Sequence, residues 1–278
     1  MNNSHTSHGF TLIELIMVIV LLGVMAVGIS GFIGLSTQTY INVSERDELL
    51  ASARFAIERL NREIRNAVPN SVRVVNKSGF NCIEFVPIKA STTYLDLPVA
   101  PKPPSNVIPV IPFKDQQDND YQCTGSCNDV VIVYPLTSTD VYSNPSDNVG
   151  KMFGLKSVTK ISNSEWTLTL DHPSGDLFDA NSPTQRLYIA KSPTSYCLYN
   201  QQLYRFSNYT LDNGSYIFPP VLPVLMAEHV QGFSVSNPPF EVNVATLQRN
   251  ASVQISLQFH RDDEQIAFNH TIHIANIP

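Results

Sequence analysis

An uninterrupted apolar segment begins ten residues from the amino terminus. Between positions 10 and 35 every residue is apolar or glycine, with the exceptions of Thr11, Glu14 and Ser30. About 20 such residues, rising 1.5 Å each in a helix, cross the hydrocarbon core of a bilayer. The pattern therefore predicts a transmembrane helix over residues 10–35.

A second helical pattern follows the apolar segment. Apolar residues recur at spacings of three and four, which places them on one face of an amphipathic helix. They are Leu49, Ala53, Ile57, Leu60, Ile64 and Ala67. No proline precedes Pro69, which is expected to end the helix at or just before Val68. We predict that residues 36–68 continue the first segment in one nearly continuous helix, roughly 85–90 Å long, whose inner half lies in lipid.

The remaining residues, 69–278, show the short apolar runs that are typical of β-strands. Candidate strands cover residues 72–75, 82–86, 130–134, 166–170, 187–190 and 196–199. The clearest alternation of apolar and polar residues lies on both sides of a polar turn at 261–264 and predicts an antiparallel hairpin with one buried face. The expected fold class is α+β, with the long N-terminal helix packed on a β-rich, antiparallel globular head.

All 19 prolines lie in this second part of the chain, and the densest group occupies residues 98–112. A stretch of that composition is expected to form an extended surface loop or a polyproline II segment within the head.

Composition narrows the class of protein. The 278 residues are 43% hydrophobic and 15% charged, with a formal net charge of -6. Enough apolar surface is available to bury a core, so disorder of the whole chain is not expected. The acidic balance argues against a protein that binds nucleic acid phosphates. Glu14 is the single charged residue among the first 40, so the low charge content partly reflects the apolar segment.

Glu14 distinguishes this segment from an ordinary membrane anchor. A cleaved signal peptide is disfavoured because the apolar run is too long and no small-residue cleavage site follows it. A carboxylate one turn into a membrane helix is costly unless it faces a partner charge or reaches the headgroups. A residue with a specific charged partner is therefore one interpretation, and a snorkelling carboxylate is the other.

The residues around Glu14 resemble a known signature. The segment Gly9-Phe10-Thr11-Leu12-Ile13-Glu14, with an apolar helix behind it, resembles the processing site of type IV pilins and type II secretion pseudopilins. The resemblance implies that residues 1–9 form a leader, that prepilin peptidase cleaves between Gly9 and Phe10, and that the new Phe10 amine is methylated. It also implies that Glu14 acts in assembly. The leader differs from the usual pattern because it contains no Lys or Arg.

A weaker resemblance extends into the head. The segments at 196–199 and 202–206, and the strand at 251–257, resemble large minor pilins of the PilW and GspJ kinds, and most of all those of the mannose-sensitive haemagglutinin (MSHA) pilus. The family implies an inner-membrane, single-pass subunit with a periplasmic head that enters a pilus. Its partners would be prepilin peptidase, other major and minor pilins and the inner-membrane assembly platform. No cofactor is implied. The alternatives are a pseudopilin of the GspJ kind and a membrane-anchored periplasmic enzyme or ligand-binding protein.

The four cysteines are even in number and lie on the side of the membrane that should be oxidising, which favours disulfides. Three connectivities are possible for Cys82, Cys123, Cys127 and Cys197. We favour a local Cys123–Cys127 loop that leaves Cys82 to join Cys197. A zinc site is disfavoured because the C-x3-C spacing is unusual and no histidine is near.

Four aspartates near the first cysteine pair are weak candidates for calcium ligands, because carboxylate oxygens are the ligands that calcium prefers. They are Asp115, Asp118, Asp120 and Asp129. Their spacing matches no EF-hand loop, so a solvated acidic loop is the preferred interpretation and no metal is predicted.

No residue pattern predicts catalysis. Ser157-x-x-Lys160 and the segment 146–148 match two motifs of penicillin-recognising serine enzymes, but their order along the chain is reversed and the third motif is missing. The histidines form no zinc-protease motif, and His270 and His273 would lie on opposite faces of a strand. We therefore expect a structural or assembly protein and not an enzyme.

Overall fold

The computed structural model describes residues 10–77, 79–123, 125, 127–142, 149–172, 175, 177–211, 221–232, 237–243, 251–262 and 264–274. The chain divides into two compact units, Met1–Ala51 and Ser52–Pro278. The first contains most of one long helix, and the second contains the end of that helix and all of the strands.

The long helix, α1, runs without a break over Leu12–Arg65, which is 54 residues. At 1.5 Å per residue it is about 80 Å long. The six residues of the predicted apolar stripe are all buried. The head-proximal part of the helix thus uses the face that the spacing of its apolar residues indicates.

The helix ends three residues before the predicted Val68. The amides of Asn66 and Ala67 bond to carbonyls three residues back, which tightens the last turn. The amide of Val68 then donates to the carbonyl of Val86 at 2.8 Å. Backbone pairing with the head therefore ends the helix before Pro69 can do so.

Within the described residues, a short helix and sixteen strands follow. The short helix, α2, is Thr139–Tyr142. The strands are β1 Arg73–Lys77, β2 Phe80–Phe85, β3 Ile88–Thr93, β4 Val107–Val110, β5 Asp129–Val133, β6 Val149–Gly150, β7 Met152–Lys160, β8 Trp166–Leu170, β9 Leu177–Phe178, β10 Arg186–Ala190, β11 Thr194–Tyr199, β12 Gln202–Ser207, β13 Val224–Ala227, β14 Phe240–Asn243, β15 Ser252–Arg261 and β16 Glu264–His273.

The strands form three antiparallel sheets and one small parallel pair. The orders are β1-β2-β11-β12-β13, β3-β10-β5-β7-β8-β4 and β14-β15-β16, and β6 pairs with β9. The predicted α+β class, with a long apolar N-terminal helix and a head of antiparallel sheets, is confirmed.

The six-stranded sheet curls until its two edge strands meet. Tyr94, directly after β3, bridges Val110 at the end of β4, and the amide of Leu95 donates to the carbonyl of Pro109 at 2.8 Å. One face of the sheet encloses a core of buried apolar side chains that includes Phe153, Trp166 and Leu187.

This closure corrects the prediction for the proline-rich segment 98–112. Residues 107–110 are not a loop but strand β4, in which Ile108 and Val110 are fully buried. Pro109 is tolerated because its carbonyl accepts the amide of Leu95, which places its missing amide on the side away from β8, so the β4–β8 ladder loses no hydrogen bond. The high proline content indicated a loop, but the apolar residues of this segment form a strand and belong to the core.

The six candidate strands predicted from apolar runs are present, with ends that differ by at most two residues. The hairpin is confirmed as β15 and β16, paired residue for residue from Ser252↔His273 to Arg261↔Glu264. Besides β4, strands β3, β6, β7, β9, β13 and β14 were missed. β3 and β7 carry several polar residues, β13 follows a proline-rich stretch, and β6, β9 and β14 are only two to four residues long.

Both disulfides of the favoured connectivity are present. Cys82 and Cys197 lie directly opposite each other on β2 and β11 and close a loop of 115 residues, whereas Cys123–Cys127 spans only 4. The long-range bond therefore constrains the order of distant strands, and the short one shapes a local turn.

A half-buried charge network joins the end of α1 to the five-stranded sheet. Glu63 accepts hydrogen bonds from the Nε of Arg59, the Nε of Arg205 and the hydroxyl of Tyr196, each at 3.0 Å. The carboxylate is 19% exposed and Arg205 is 16% exposed. Burial, followed by the charge of Glu63, raises the pKa of Tyr196 and keeps its hydroxyl protonated as a donor.

The cystine pairs give a test of the fold. Loop-closure entropy predicts that the double variant Cys82→Ser/Cys197→Ser loses roughly 5 kcal/mol of unfolding free energy. The matched variant Cys123→Ser/Cys127→Ser should lose about 2 kcal/mol, because its loop is short. Denaturant unfolding of the full chain in detergent measures both. Equal losses would contradict the assignment of the long-range bond as the main constraint.

A second test concerns the Glu63 network. Glu63→Ala should lower the free energy of unfolding by about 1–3 kcal/mol, because Arg205 and Tyr196 are left without their acceptor. Glu58→Ala is the matched control: Glu58 is exposed on the same helix and has no ion pair with any described residue, so its loss should stay within about 0.5 kcal/mol. Similar effects for both variants in denaturant unfolding would refute the role of Glu63.

Candidate functional site

The start of the first unit carries the residues that the processing signature singles out. Phe10 is 78% exposed, Thr11 follows outside the helix, and Leu12 is the first helical residue. Gly9 and the rest of the predicted leader, residues 1–9, lie outside the described residues. A cut before Phe10 would therefore leave a free amine two residues ahead of a helix.

Glu14 lies in the first turn of α1 and is exposed. No hydrogen bond or ion pair joins its carboxylate to another side chain within the described part of the chain. The amino-terminal end of a helix carries partial positive charge, which favours a carboxylate at this position. Glu14 is thus a carboxylate available for a partner outside its own chain.

The helix begins at Leu12 and not at the predicted Phe10, and Thr11 stands at its N-cap position. Thr11 directly precedes the helix and Glu14 is the third helical residue, which is the T-x-x-E spacing typical of a helix start. The carbonyl of Thr11 accepts the amide of Leu15 at 3.2 Å, the first bond of the helix. This spacing is a sequence signal for the start of the helix that the prediction did not include.

The apolar part of α1 presents its side chains on all sides. Large apolar residues from Phe10 to Val43 are exposed, for example Leu12 at 78%, Val27 at 75% and Phe32 at 72%. By length and composition α1 is the one helix among the described residues able to cross a membrane. A helix that is apolar all round requires cover from lipid or from other helices.

Hydroxyl groups near the end of this apolar stretch are satisfied within the helix. Thr37 and Thr39 donate to the carbonyls of Ile33 and Leu35, each at 2.9 Å. Such back-bonding lets polar residues lie in an apolar environment without an unpaired donor. The part of α1 that is suited to contact with lipid or with other helices therefore extends toward residue 40.

The four candidate calcium ligands do not form one group. Asp115 accepts the amides of its own loop, at 2.9 and 3.0 Å, while Asp118 and Asp120 form surface ion pairs with lysines at 2.9 and 2.5 Å. Among the described residues no three His, Cys, Asp or Glu side chains are arranged to hold a metal ion. The hydrogen bonds of Asp115 and the ion pairs of Asp118 and Asp120 indicate that these three side chains are structural parts of a loop.

Asp129, the fourth candidate, is fully buried in a separate arrangement. Its Oδ2 lies 2.6 Å from the ammonium of Lys89 and accepts the hydroxyl of Tyr121 at 2.5 Å. Burial, together with the hydrogen bond to Asp129, raises the pKa of Tyr121 above its ordinary value. The group stabilises the start of β5 and uses Asp129 as an internal partner.

A second buried acid lies on the five-stranded sheet and was not predicted. Glu84 accepts the Nε of Arg73 at 2.5 Å and the hydroxyl of Tyr209 at 2.7 Å. Arg73 also stacks 3.6 Å above the ring centre of Tyr142. Burial first, and then the charge of Glu84, raises the pKa of Tyr209. The carboxylate oxygens of Glu84 are both used inside the protein, which indicates a structural role.

The described residues of the enzyme-like matches do not form a site. Ser157 and Lys160 lie on strand β7, and Lys160 pairs with Asp120, whereas residues 146–148 lie outside the described residues. His270 and His273 lie on opposite faces of β16, as predicted. These positions provide no nucleophile and base in contact.

The comparisons with known proteins concern the amino-terminal segment. Residues 4–30 match the family model described as the prokaryotic N-terminal methylation motif, a span that includes Phe10, Glu14 and the first turns of α1. No curated protein and no solved structure matches the chain. The motif implies processing by prepilin peptidase and a structural subunit rather than an enzyme. Together with the exposed apolar helix and the antiparallel head, it supports a type IV pilin-like protein.

Proposed function

We propose that this protein is a minor type IV pilin, an assembly subunit of a pilus of the MSHA type and similar in kind to the MSHA biogenesis protein MshO. The observation that carries the proposal is the free carboxylate of Glu14 in the first turn of an exposed apolar helix, inside the methylation motif. The MshO assignment itself rests on the resemblance of the head segments at 196–206 and 251–257.

The proposed maturation begins with removal of residues 1–9. Prepilin peptidase hydrolyses the peptide bond between Gly9 and Phe10 on the cytoplasmic side, and a methyl group is then added to the new Phe10 amine. The amine remains positively charged after this methylation. It lies at the end of the helix where the backbone dipole is also positive, so a nearby anion is favoured on both counts.

Glu14 is the proposed anion, supplied by a neighbouring subunit. Glu14 lies about 6 Å along the helix from Phe10, so two parallel helices displaced along the axis bring the amine of one close to the carboxylate of the other. A buried ion pair adds little stability over apolar packing, but breaking it by removing one partner costs about 3–5 kcal/mol. The pair therefore acts mainly by selecting one register between subunits.

The apolar residues around Glu14 serve two proposed environments in turn. Before assembly α1 anchors the subunit as a single-pass protein of the inner membrane, with the disulfide-bonded head in the oxidising periplasm. During assembly the same surface packs against the helices of other major and minor pilins at the assembly platform. The head then contributes to initiation or capping of the pilus.

A type II secretion pseudopilin of the GspJ kind is a second candidate, since the methylation motif is common to both systems. The two differ in the filament that they serve, so the neighbouring genes distinguish them. A membrane-anchored periplasmic enzyme or ligand-binding protein is a third. Two clefts of about 440 and 490 Å³ on the head are the features that favour it. That candidate predicts that the N-terminus stays uncleaved.

Maturation is tested by intact-mass analysis of membrane-derived protein from cells with and without prepilin peptidase. With the peptidase, the mass should correspond to loss of residues 1–9 and gain of one methyl group, because hydrolysis precedes methylation. Without it, the full chain should remain. Retention of Met1 in the presence of active peptidase would exclude the pilin proposal.

Replacement of Glu14 tests its role in assembly. Glu14→Ala should be cleaved normally but enter sheared filaments at least tenfold less than the wild type, because a buried amine loses its partner. The control Ile13→Ala removes apolar surface at the adjacent position and keeps the charge, so its incorporation should stay close to normal. Wild-type incorporation of Glu14→Ala, measured by quantitative immunoblot, would refute the register role.

A further inference from the structure

The hairpin partner β16 is an unusually complete edge strand. It lies at the edge of the three-stranded sheet and pairs with β15 over ten consecutive residues without a bulge. β15 itself is covered on its other side by β14 and by the segment around Val230. Among the described residues no strand pairs with the outer side of β16, which makes it the long open edge of this sheet.

The backbone groups that face outward can be assigned from the register. Ser256 and His260 of β15 bond away from β16, to the carbonyls of Pro239 and His229, so the odd-numbered residues of β15 bond toward it. Their partners on β16 are the even-numbered residues. The outward amides and carbonyls belong to Gln265, Ala267, Asn269, Thr271 and His273. These five residues make no backbone hydrogen bond to any other residue in the described part of the head.

The other sheet edges of the head are short or closed. The six-stranded sheet brings its edges together through Tyr94 and Val110. The five-stranded sheet ends on one side in β13, four residues long and preceded by Pro223, and on the other in β1, which is five residues long. Short length, proline and charge are the devices that protect edges from pairing with another chain.

None of these protective features occurs among the five outward residues of β16. The side chains of the five outward residues are exposed, and none is Lys, Arg, Asp, Glu or Pro. On its other face, Ile266 and Phe268 are half-buried, and Phe268 packs edge-on against Phe259 with ring centres 5.8 Å apart. A strand added beside β16 would gain backbone hydrogen bonds and extend this apolar row.

We propose that the outer edge of β16 pairs with an extended strand from the head of a neighbouring pilin-like subunit in the assembled filament. This inference rests on the proposed function, since it requires a subunit that assembles with others. The occupant is an extended segment without charged side chains. Its apolar side chains, at alternate positions, continue the apolar row formed by Ile266 and Phe268.

The size of the edge favours a neighbour held in the same filament over a second copy in solution. A ten-residue strand is roughly 33 Å long, and pairing along it buries on the order of 330 Å² per partner if the sheet is about 10 Å thick. Stable interfaces bury about 800 Å² per partner. Helices packed in one bundle supply the missing association by raising the local concentration of the two heads.

Amide hydrogen exchange resolved along β16 tests the pairing on the unmodified chain. In the purified, detergent-solubilised full-length protein the outward amides of Ala267, Asn269 and Thr271 should exchange fast, and those of Ile266 and Phe268 slowly. In isolated filaments the outward amides should slow at least tenfold, with little change in the inward ones. Outward amides that stay fast in filaments would overturn the inference. Concentration-dependent protection in the purified protein would overturn it in favour of a second copy.

A proline variant gives an independent readout. Ala267→Pro removes an outward amide and leaves the ladder to β15 intact, and Ala267→Val keeps the amide as the matched control. Ala267→Pro should retain the wild-type leader cleavage and melting temperature but enter filaments several-fold less, whereas Ala267→Val should enter normally. Equal incorporation of both variants refutes the edge pairing alone. Failure of the wild-type chain to be cleaved or incorporated refutes the proposed function instead.

Discussion

The uncovered apolar surface of α1 is the constraint on which the rest of this protein depends. Side chains from Phe10 to Val43 are exposed on all sides of the helix, and the described chain covers few of them. Water is a costly environment for such a surface, so it must lie in lipid or among other helices. The proposed role of Glu14 favours other helices, because the hydrocarbon core offers no partner for a carboxylate, whereas the proposed neighbouring subunit supplies an amine.

The head-proximal end of the same helix meets a different requirement. Its stripe of apolar residues is buried, and Glu63 makes a three-way polar contact with Arg59, Arg205 and Tyr196. A polar network of this kind is sensitive to geometry because each partner lost leaves another unsatisfied. The end of the helix is thereby tied to β11 and β12. One continuous element thus combines an apolar segment suited to assembly with a specific attachment in the head.

Periodicity predicted the elements whose burial is one-sided. The α1 stripe from Leu49 to Ala67 and the hairpin β15–β16 have one buried face, so their sequence patterns are strong. It did not predict β4, because the prolines of 98–112 indicate a loop while Ile108 and Val110 fill the core. The helix end at Arg65 depends on backbone pairing of Val68 with Val86, a long-range contact with no local signal.

The residues of the candidate site also differ in how far the sequence alone could predict them. Phe10 and Glu14 could be proposed from the sequence because the methylation motif that contains them is encoded in consecutive residues. The roles of Glu63 and Glu84, and the open edge of β16, depend on strands brought together from distant parts of the chain. The enzyme-like match at Ser157 and Lys160 fell on a strand, where Lys160 pairs with Asp120. Local motifs were thus informative at the start of the chain and uninformative in the head.

The contact between Glu14 and a neighbouring amine is the central claim, and its geometry in the filament tests it most directly. A filament structure determined by cryo-electron microscopy should place the Glu14 carboxylate within about 4 Å of the N-terminal amine of an adjacent subunit, the ordinary limit of an ion pair. A Glu14 side chain that points to the filament exterior, or that pairs within its own subunit, would contradict the account.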